Sequence, residues 1–172
     1  MHAVLRRLIG YADGLNARIG RGVAWLTLAM VVVYFAVAVL RYFFHVGWIW
    51  MQESVVYMHA LVFMLAAALT LQQNQHVRVD IFYSKRTARG QHWTDLLGSL
   101  LFLLPLALFL FWAGWEYVAT SWSQRERSPE SGGLPFVYLL KTVILVLAVQ
   151  LALQALAEAG RSWLALRGRP KT

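Results

Sequence analysis

The chain has 172 residues, of which 59% are apolar and 14% are charged, and its mean hydropathy is +0.54. A soluble domain averages about 25% charged residues, so this composition excludes an ordinary soluble protein and indicates one built to lie in lipid. The lack of cysteine excludes disulfides and thiolate metal sites. The net charge of +8 does not indicate nucleic-acid binding, because Lys and Arg collect on the cytoplasmic side of membrane proteins.

Residues 1–21 predict an amphipathic helix at the membrane interface. Apolar side chains recur at helical spacing, and charged side chains occupy the rest of the helix. The apolar set is Leu5, Leu8, Ile9, Ala12, Leu15 and Ile19, and the charged set is Arg6, Arg7, Asp13 and Arg18. The apolar run that follows is too long for a signal peptide and lacks a small-x-small cleavage site, so we interpret it as a retained first span.

Four apolar segments are long enough to cross a membrane as helices. A helix needs about 20 residues to cross about 30 Å of hydrocarbon, and in lipid its backbone groups must be satisfied internally. The predicted spans are residues 22–44, 50–71, 96–118 and 134–157, with loops at 72–95 and 119–133 and a tail at 158–172. Pro105 predicts a kink in the third span. We therefore predict an all-α membrane protein with one membrane domain of four transmembrane helices.

The basic residues predict the orientation of these spans. Twelve of the sixteen Lys and Arg lie in residues 1–21, 72–95 and 158–172. By the positive-inside bias, both termini and the 72–95 loop are cytoplasmic, and the 119–133 loop is periplasmic. An even number of spans independently places both termini on one side.

Span two contains a histidine that is a candidate ligand. His59 lies about 13 Å along the predicted helix, and an ionisable residue within a membrane is a functional candidate. Axial ligation of a haem normally needs a second histidine at similar depth on a facing helix, and no other predicted span contains one. We therefore expect His59 to donate or accept a hydrogen bond with a neighbouring helix, and we expect no cofactor.

Glu53 lies in the first turn of span two, where the positive end of the helix dipole favours a carboxylate. Trp50 beside it marks the outer interface. Arg41 ends span one at a similar depth, so we predict an ion pair between Arg41 and Glu53. A contact of Glu53 with a loop of a partner is the alternative.

Span four carries a polar face. Gln150, Gln154, Glu158 and Arg161 follow one another at i, i+4, i+8 and i+11. In lipid such a face points at another helix, which is either within this chain or in a larger partner. Lys141 lies nearer the outer end of the same span, within reach of water. The chain has no Ser-His-Asp set, phosphate-binding glycine loop or paired carboxylates, so the sequence does not predict an enzyme.

Four motifs occur in a fixed order around the spans. Arg41 and Tyr42 end span one, and Trp50 and Glu53 open span two. The later motifs are "HVRVDIFY" at 76–83 and "SPESGGLPFVYLLK" at 128–141. Their order and spacing resemble the small membrane subunit of tripartite ATP-independent periplasmic (TRAP) transporters over about residues 22–155.

The resemblance implies a partner, a location and a role. It implies a large multi-span subunit that carries substrate and sodium, and a periplasmic binding protein that delivers an organic acid. The small subunit would brace the large one in the bacterial inner membrane, without catalytic residues.

The segment at 76–83 adds a cluster of polar residues at the cytoplasmic end of span two. We interpret His76, Arg78 and Asp80 as an anchor at that interface or a contact with the large subunit. A solvated loop that contacts lipid phosphates is the alternative.

Two other functions compete with the transporter subunit. A membrane electron carrier would need a bound haem, which an absorption spectrum would reveal. A self-assembling channel usually needs a polar stripe through a whole helix, and the predicted spans hold only scattered ionisable groups.

Overall fold

The computed structural model describes residues 2–73 and 83–167. Its helices are α1 (His2–Phe44), α2 (Ile49–Gln72), α3 (Ala88–Gly98), α4 (Leu104–Ser123) and α5 (Val137–Arg167), and a π-helical turn at Ser99–Leu103 joins α3 to α4. The described residues contain no strand. Four helices are long and apolar enough to cross a membrane, which confirms the all-α prediction and the number of spans.

Three helices run past the boundaries expected from hydropathy, and one of them is α5, which continues to Arg167 into the expected tail. Helix α1 is unbroken from His2 to Phe44, so no interruption separates residues 1–21 from the first span. Its 43 residues correspond to about 65 Å of helix, twice the thickness of the hydrocarbon. The third candidate span begins at Ala88, inside the expected loop at 72–95, where the Thr87 hydroxyl accepts a hydrogen bond from the Gly90 amide. The orientation across the membrane, and a position of residues 1–21 in the interface, stay predictions.

The π-helical turn lies immediately before Pro105, where the sequence predicts a kink. Pro105 falls in the first turn of α4 and has no amide hydrogen, so the usual hydrogen bond to the carbonyl four residues earlier is missing. A wider turn at Ser99–Leu103 accommodates this missing bond without ending the helix.

Helix α5 is the central helix of the bundle. It packs against the hairpin of α1 and α2 on one side and against α3, the π-helical turn and α4 on the other. One third of the residues in the most apolar 18-residue stretch of α5 are buried, compared with 6% in the corresponding stretches of α1 and α2. Many of its buried residues are small, which allows close approach of neighbouring helices. They include Ala148, Ala155, Ala157, Ala159 and Gly160.

Glycines mark the closest helix contacts. A Cβ at Gly20 of α1 would lie 2.9 Å from the Cβ of Leu69 on α2. Real Cβ atoms essentially never come this close to another heavy atom. A Cβ at Gly160 of α5 would lie 3.1 Å from the terminal carbon of Ile9. The N-terminal half of α1 therefore packs along α5, and Ile9 and Asn16 are buried there.

Candidate functional site

Among the described residues, the polar contacts that join distant parts of the chain form two clusters at opposite ends of the bundle, while a third, more local group lies around Tyr83 and Asp95. The first, which we name the outer cluster after the orientation that the sequence predicts, lies around Glu53 and Lys141, where α2, α4 and α5 meet the connection between α4 and α5. The inner cluster lies between α1 and α5, around Asn16 and Arg161. Both clusters depend on contacts between residues far apart in the chain.

Glu53 holds the 128–134 segment with both of its carboxylate oxygens. Oε2 accepts a hydrogen bond from the Leu134 amide at 2.6 Å, and Oε1 accepts one from the Ser128 hydroxyl. The segment also closes on itself, because the Ser128 amide donates to the Leu134 carbonyl at 3.1 Å. Gly132 has φ of 83°, a left-handed conformation that glycine adopts without strain. The motif "SPESGGLPF" therefore forms a compact turn that docks on the start of α2.

The predicted ion pair between Arg41 and Glu53 is wrong. No ion pair joins these two side chains, both of which are among the described residues. Arg41 is exposed and lines a groove with Tyr42 and His45 at the end of α1. We predicted the pair because Arg41 and Glu53 lie at similar depth in the membrane. Depth does not specify the side of its helix on which a side chain lies. Glu53 points instead to the loop in front of α5.

Lys141 ties the outer ends of α4 and α5 to the loop between them. Its Nζ lies 2.5 Å from Glu126 Oε2 and 4.0 Å from the centre of the Tyr117 ring. The hydrogen bond from Lys141 lowers the pKa of Glu126 below its ordinary value. Thr142 follows Lys141 directly, and its hydroxyl accepts a hydrogen bond from the Trp122 indole at 2.8 Å. Lys141 is therefore a paired residue of the outer cluster.

Tryptophans lie beside this cluster at the same end of the bundle. Trp50 is exposed, as the sequence predicts for an interfacial residue, and it stacks on Trp48 with ring centres 6.3 Å apart. Such amphipathic rings favour the boundary between hydrocarbon and water.

The inner cluster contains an amide network that the polar face of span four predicted in part. Asn16 Nδ2 donates to Gln154 Oε1 at 2.8 Å, and Gln150 Nε2 lies 3.5 Å from Asn16 Oδ1. The side chains of Asn16 and Gln154 are fully buried, and that of Gln150 nearly so. The open alternative is thereby resolved for these residues, since Gln150 and Gln154 face α1 of the same chain.

Arg161 closes the inner cluster with two carboxylates. Its Nη1 lies 2.6 Å from Asp13 Oδ2, and its Nη2 lies 2.7 Å from Glu158 Oε1. Gln154 Nε2 lies 3.5 Å from Asp13 Oδ1, which connects the charged pairs to the amide network. Together these groups fasten the N-terminal half of α1 to the C-terminal half of α5.

Asn16 was not among the residues selected from the sequence, and Asp13 was not predicted as the partner of Arg161. A signal for Asn16 was present, because Ile9, Ala12 and Asn16 follow at i, i+3 and i+7. A single amide on an apolar stripe in a membrane protein is expected to meet a polar group of another helix. The sequence did not say which helix.

His59 lies on the exposed side of α2. Its ring stacks on Phe63 with centres 6.4 Å apart, and it makes no hydrogen bond or ion pair with any described residue. We predicted a hydrogen bond between His59 and a neighbouring helix, and no helix within residues 2–73 and 83–167 of this chain forms it. No group of three or more His, Cys, Asp or Glu side chains in these ranges is placed to hold a metal ion.

His76, Arg78 and Asp80 lie outside the described residues. Their interpretation as a polar cluster at the end of a helix therefore stays a prediction.

Four apolar spans joined by internally paired polar clusters define the class of this molecule as a multi-pass membrane protein. The chain belongs to the DctQ family, whose model, "Tripartite ATP-independent periplasmic transporters, DctQ component", matches residues 30–165. This match confirms the resemblance stated above and identifies a small membrane component of a transporter, a family that is not one of enzymes. No curated protein and no solved structure matches the chain.

Proposed function

We propose that this chain is the accessory scaffold subunit of a TRAP-type secondary transporter in the bacterial inner membrane. The complete transporter takes up an organic acid with a sodium gradient and a periplasmic binding protein. The observation that carries the proposal is the DctQ match over residues 30–165 on a four-span architecture. In this complex the chain braces the large multi-span subunit and contacts membrane phospholipids.

The pairing of the polar groups supports a bracing role. An ion-coupled transport site usually lies near the membrane midplane and uses unwound backbone or ionisable side chains. In the described part of this chain, the charged pairs lie in the two end clusters, and their partners are other residues of the chain. Such pairs make the bundle rigid, which is the property that a scaffold requires.

The proposed orientation places the two clusters on opposite sides of the membrane. With both termini cytoplasmic, the outer cluster and the 119–133 loop face the periplasm, where the binding protein docks on the transporter. The inner cluster and the long N-terminal half of α1 then lie at the cytoplasmic side, together with His76, Arg78 and Asp80. We propose that these three residues anchor the chain at that interface or contact the large subunit.

Reconstitution in liposomes with each component omitted in turn tests this function. Uptake of a radiolabelled organic acid should require this chain, the large subunit, the binding protein and a sodium gradient. Uptake by this chain with the binding protein but without the large subunit would contradict the scaffold role. Full uptake in liposomes that lack this chain would contradict it as well.

A further inference from the structure

Four exposed residues on α2 form a stripe that we name the His59 face. It consists of Gln52, Val56, His59 and Phe63, which follow at i, i+4, i+7 and i+11. The apolar members are well exposed, with 60% of Val56 and 73% of Phe63 accessible. Because α2 packs against α1 and α5 with its other sides, this stripe points away from the bundle.

The position of the imidazole along the candidate span places it within the hydrocarbon, away from both interfaces. His59 is seven residues from Gln52, about 10 Å along the helix, and thirteen residues from Gln72, about 20 Å. A histidine side chain is too short to reach either interface over these distances, unlike the long side chains of Lys and Arg. The ring contact with Phe63 satisfies neither ring nitrogen.

Lipid is an unfavourable neighbour for such a group. An imidazole has at least one N–H donor and, when neutral, one acceptor nitrogen, and an unpaired polar group in hydrocarbon costs several kcal/mol. Ionisable residues within a span almost always face protein or a water-filled cavity. A second protein chain that supplies a hydrogen-bonding group at this depth would remove the cost.

Helix α4 carries an exposed face that needs no hydrogen-bonding partner in lipid. Leu106 and Phe109 of α4, together with Phe102 of the preceding π-helical turn, form this face, and between 51% and 75% of each side chain is exposed. This stripe is entirely apolar and therefore suits acyl chains. The two faces have similar exposure, and only the His59 face carries polar side chains, Gln52 near the end of the span and His59 deeper within it.

We propose that the His59 face is the surface on which the large transporter subunit docks, through a helix that presents an acceptor oxygen to the imidazole. The oxygen belongs to a carboxylate, hydroxyl or amide side chain about one third of the way into the membrane. This assignment rests on the proposed function, since it takes the large subunit as the occupant.

Site-specific photo-crosslinking of the complete complex tests the surface. A photoreactive phenylalanine analogue replaces Val56 or Phe63 on the His59 face, and Leu106 or Phe109 on the control face. We expect adducts with the large subunit from the first pair and none from the second. Adducts from the control face alone would overturn the assignment, and so would adducts between two copies of this chain.

Substitution of the imidazole tests its chemistry. His59→Leu should lower the amount of large subunit that co-purifies with this chain by about three- to fifteenfold, as for one lost hydrogen bond between membrane helices. His59→Asn keeps a donor and an acceptor and should lose less, and Phe109→Leu on the control face should lose nothing. The melting temperature of the isolated chain should be unchanged in His59→Leu, because no described residue bonds the ring.

The possible failures are distinguishable. If the large subunit co-purifies with the wild-type chain and His59→Leu retains it fully, the docking face is wrong and the scaffold function stands. If the large subunit does not associate with the wild-type chain at all, the proposed function is wrong, and the docking face with it.

Discussion

Glu53 fastens the loop between α4 and α5 to the start of α2 through the Leu134 amide and the Ser128 hydroxyl. Hydrogen bonds to a charged group contribute roughly 1.5–3 kcal/mol, so Glu53→Gln should lower the free energy of unfolding by an amount of that order. In a double-mutant cycle, Glu53→Gln and Ser128→Ala should cost less together than the sum of the single changes.

The same cycle with Arg41 is the control for this prediction. Glu53→Gln and Arg41→Gln should be additive, because the two side chains are not paired in the structure. Thermal unfolding of the purified chain in detergent gives all four free energies. Strong coupling between Glu53 and Arg41 in this cycle would support the ion pair that the sequence predicted.

Glu126 makes the outer cluster sensitive to acid. Its pKa is lowered in the folded chain by the hydrogen bond from Lys141, so the charged form favours folding. This contribution is present above the ordinary carboxyl pKa of 4.5 and is lost as the pH falls through the lowered folded value. Between neutral pH and pH 3, the wild-type chain should therefore lose more thermal stability than Glu126→Gln.

A carboxylate outside the cluster controls for general acid effects. Glu130 is exposed and its side chain forms no ion pair with Lys141, so Glu130→Gln should follow the wild-type pH profile. An identical acid response in wild type and Glu126→Gln would show that this pair does not stabilise the fold.

Asn16 should be the most sensitive amide in the inner cluster. Its replacement by Ala leaves buried Gln154 without its 2.8 Å partner, and an unsatisfied buried polar group costs about 1–3 kcal/mol. The exposed amide of Gln124 provides a control, and Gln124→Ala should change the unfolding free energy by less than about 0.5 kcal/mol. Equal effects of the two changes would contradict the network.

At the scale of the helices, packing of α1 on α2 depends on the absence of a side chain at Gly20. Gly20→Ala places a Cβ 2.9 Å from the Cβ of Leu69, which is tied to the backbone and cannot rotate away. The helices must separate, and we expect a loss of about 1–3 kcal/mol, as for other overpacked contacts. Chemical denaturation in detergent measures this loss.

Gly22 is a matched control two residues along the same helix. A Cβ at Gly22 meets nothing within 4 Å, so Gly22→Ala should stabilise the chain by up to about 1 kcal/mol through helix propensity. Destabilisation by Gly20→Ala together with stabilisation by Gly22→Ala would demonstrate the close contact between Gly20 and Leu69. Stabilisation by both would mean that α1 and α2 are farther apart at this level than in the structure.

At the scale of the whole molecule, the orientation is the prediction with the broadest consequences. Fusions of a compartment-sensitive reporter after Thr172 and after Glu130 should give opposite signals, cytoplasmic for the first and periplasmic for the second. The physical reason is the location of twelve of the sixteen Lys and Arg in the segments assigned to the inner side. The same signal from both fusions would exclude four spans with this topology.

The sequence by itself determined the four spans and the family. Apolar length and helical period are local properties, and transfer of each residue into lipid adds to the total without reference to the rest of the fold. The order of Arg41, Trp50, Glu53 and the "SPESGGLPF" motif carried the resemblance that the DctQ match confirms. Helical spacing also located the polar face of span four at Gln150 and Gln154.

Only the tertiary structure decided which polar groups meet and where the long helices end. Glu53 bonds Leu134 at a separation of 81 residues, and Asn16 bonds Gln154 at a separation of 138. Hydropathy gives a residue's depth but not the direction of its side chain around the helix, which is why Arg41 was paired wrongly and Asn16 was overlooked. The sequence also predicted a helix over residues 1–21, but only the structure shows that it continues unbroken into the first span and packs along α5 near the other end of the chain.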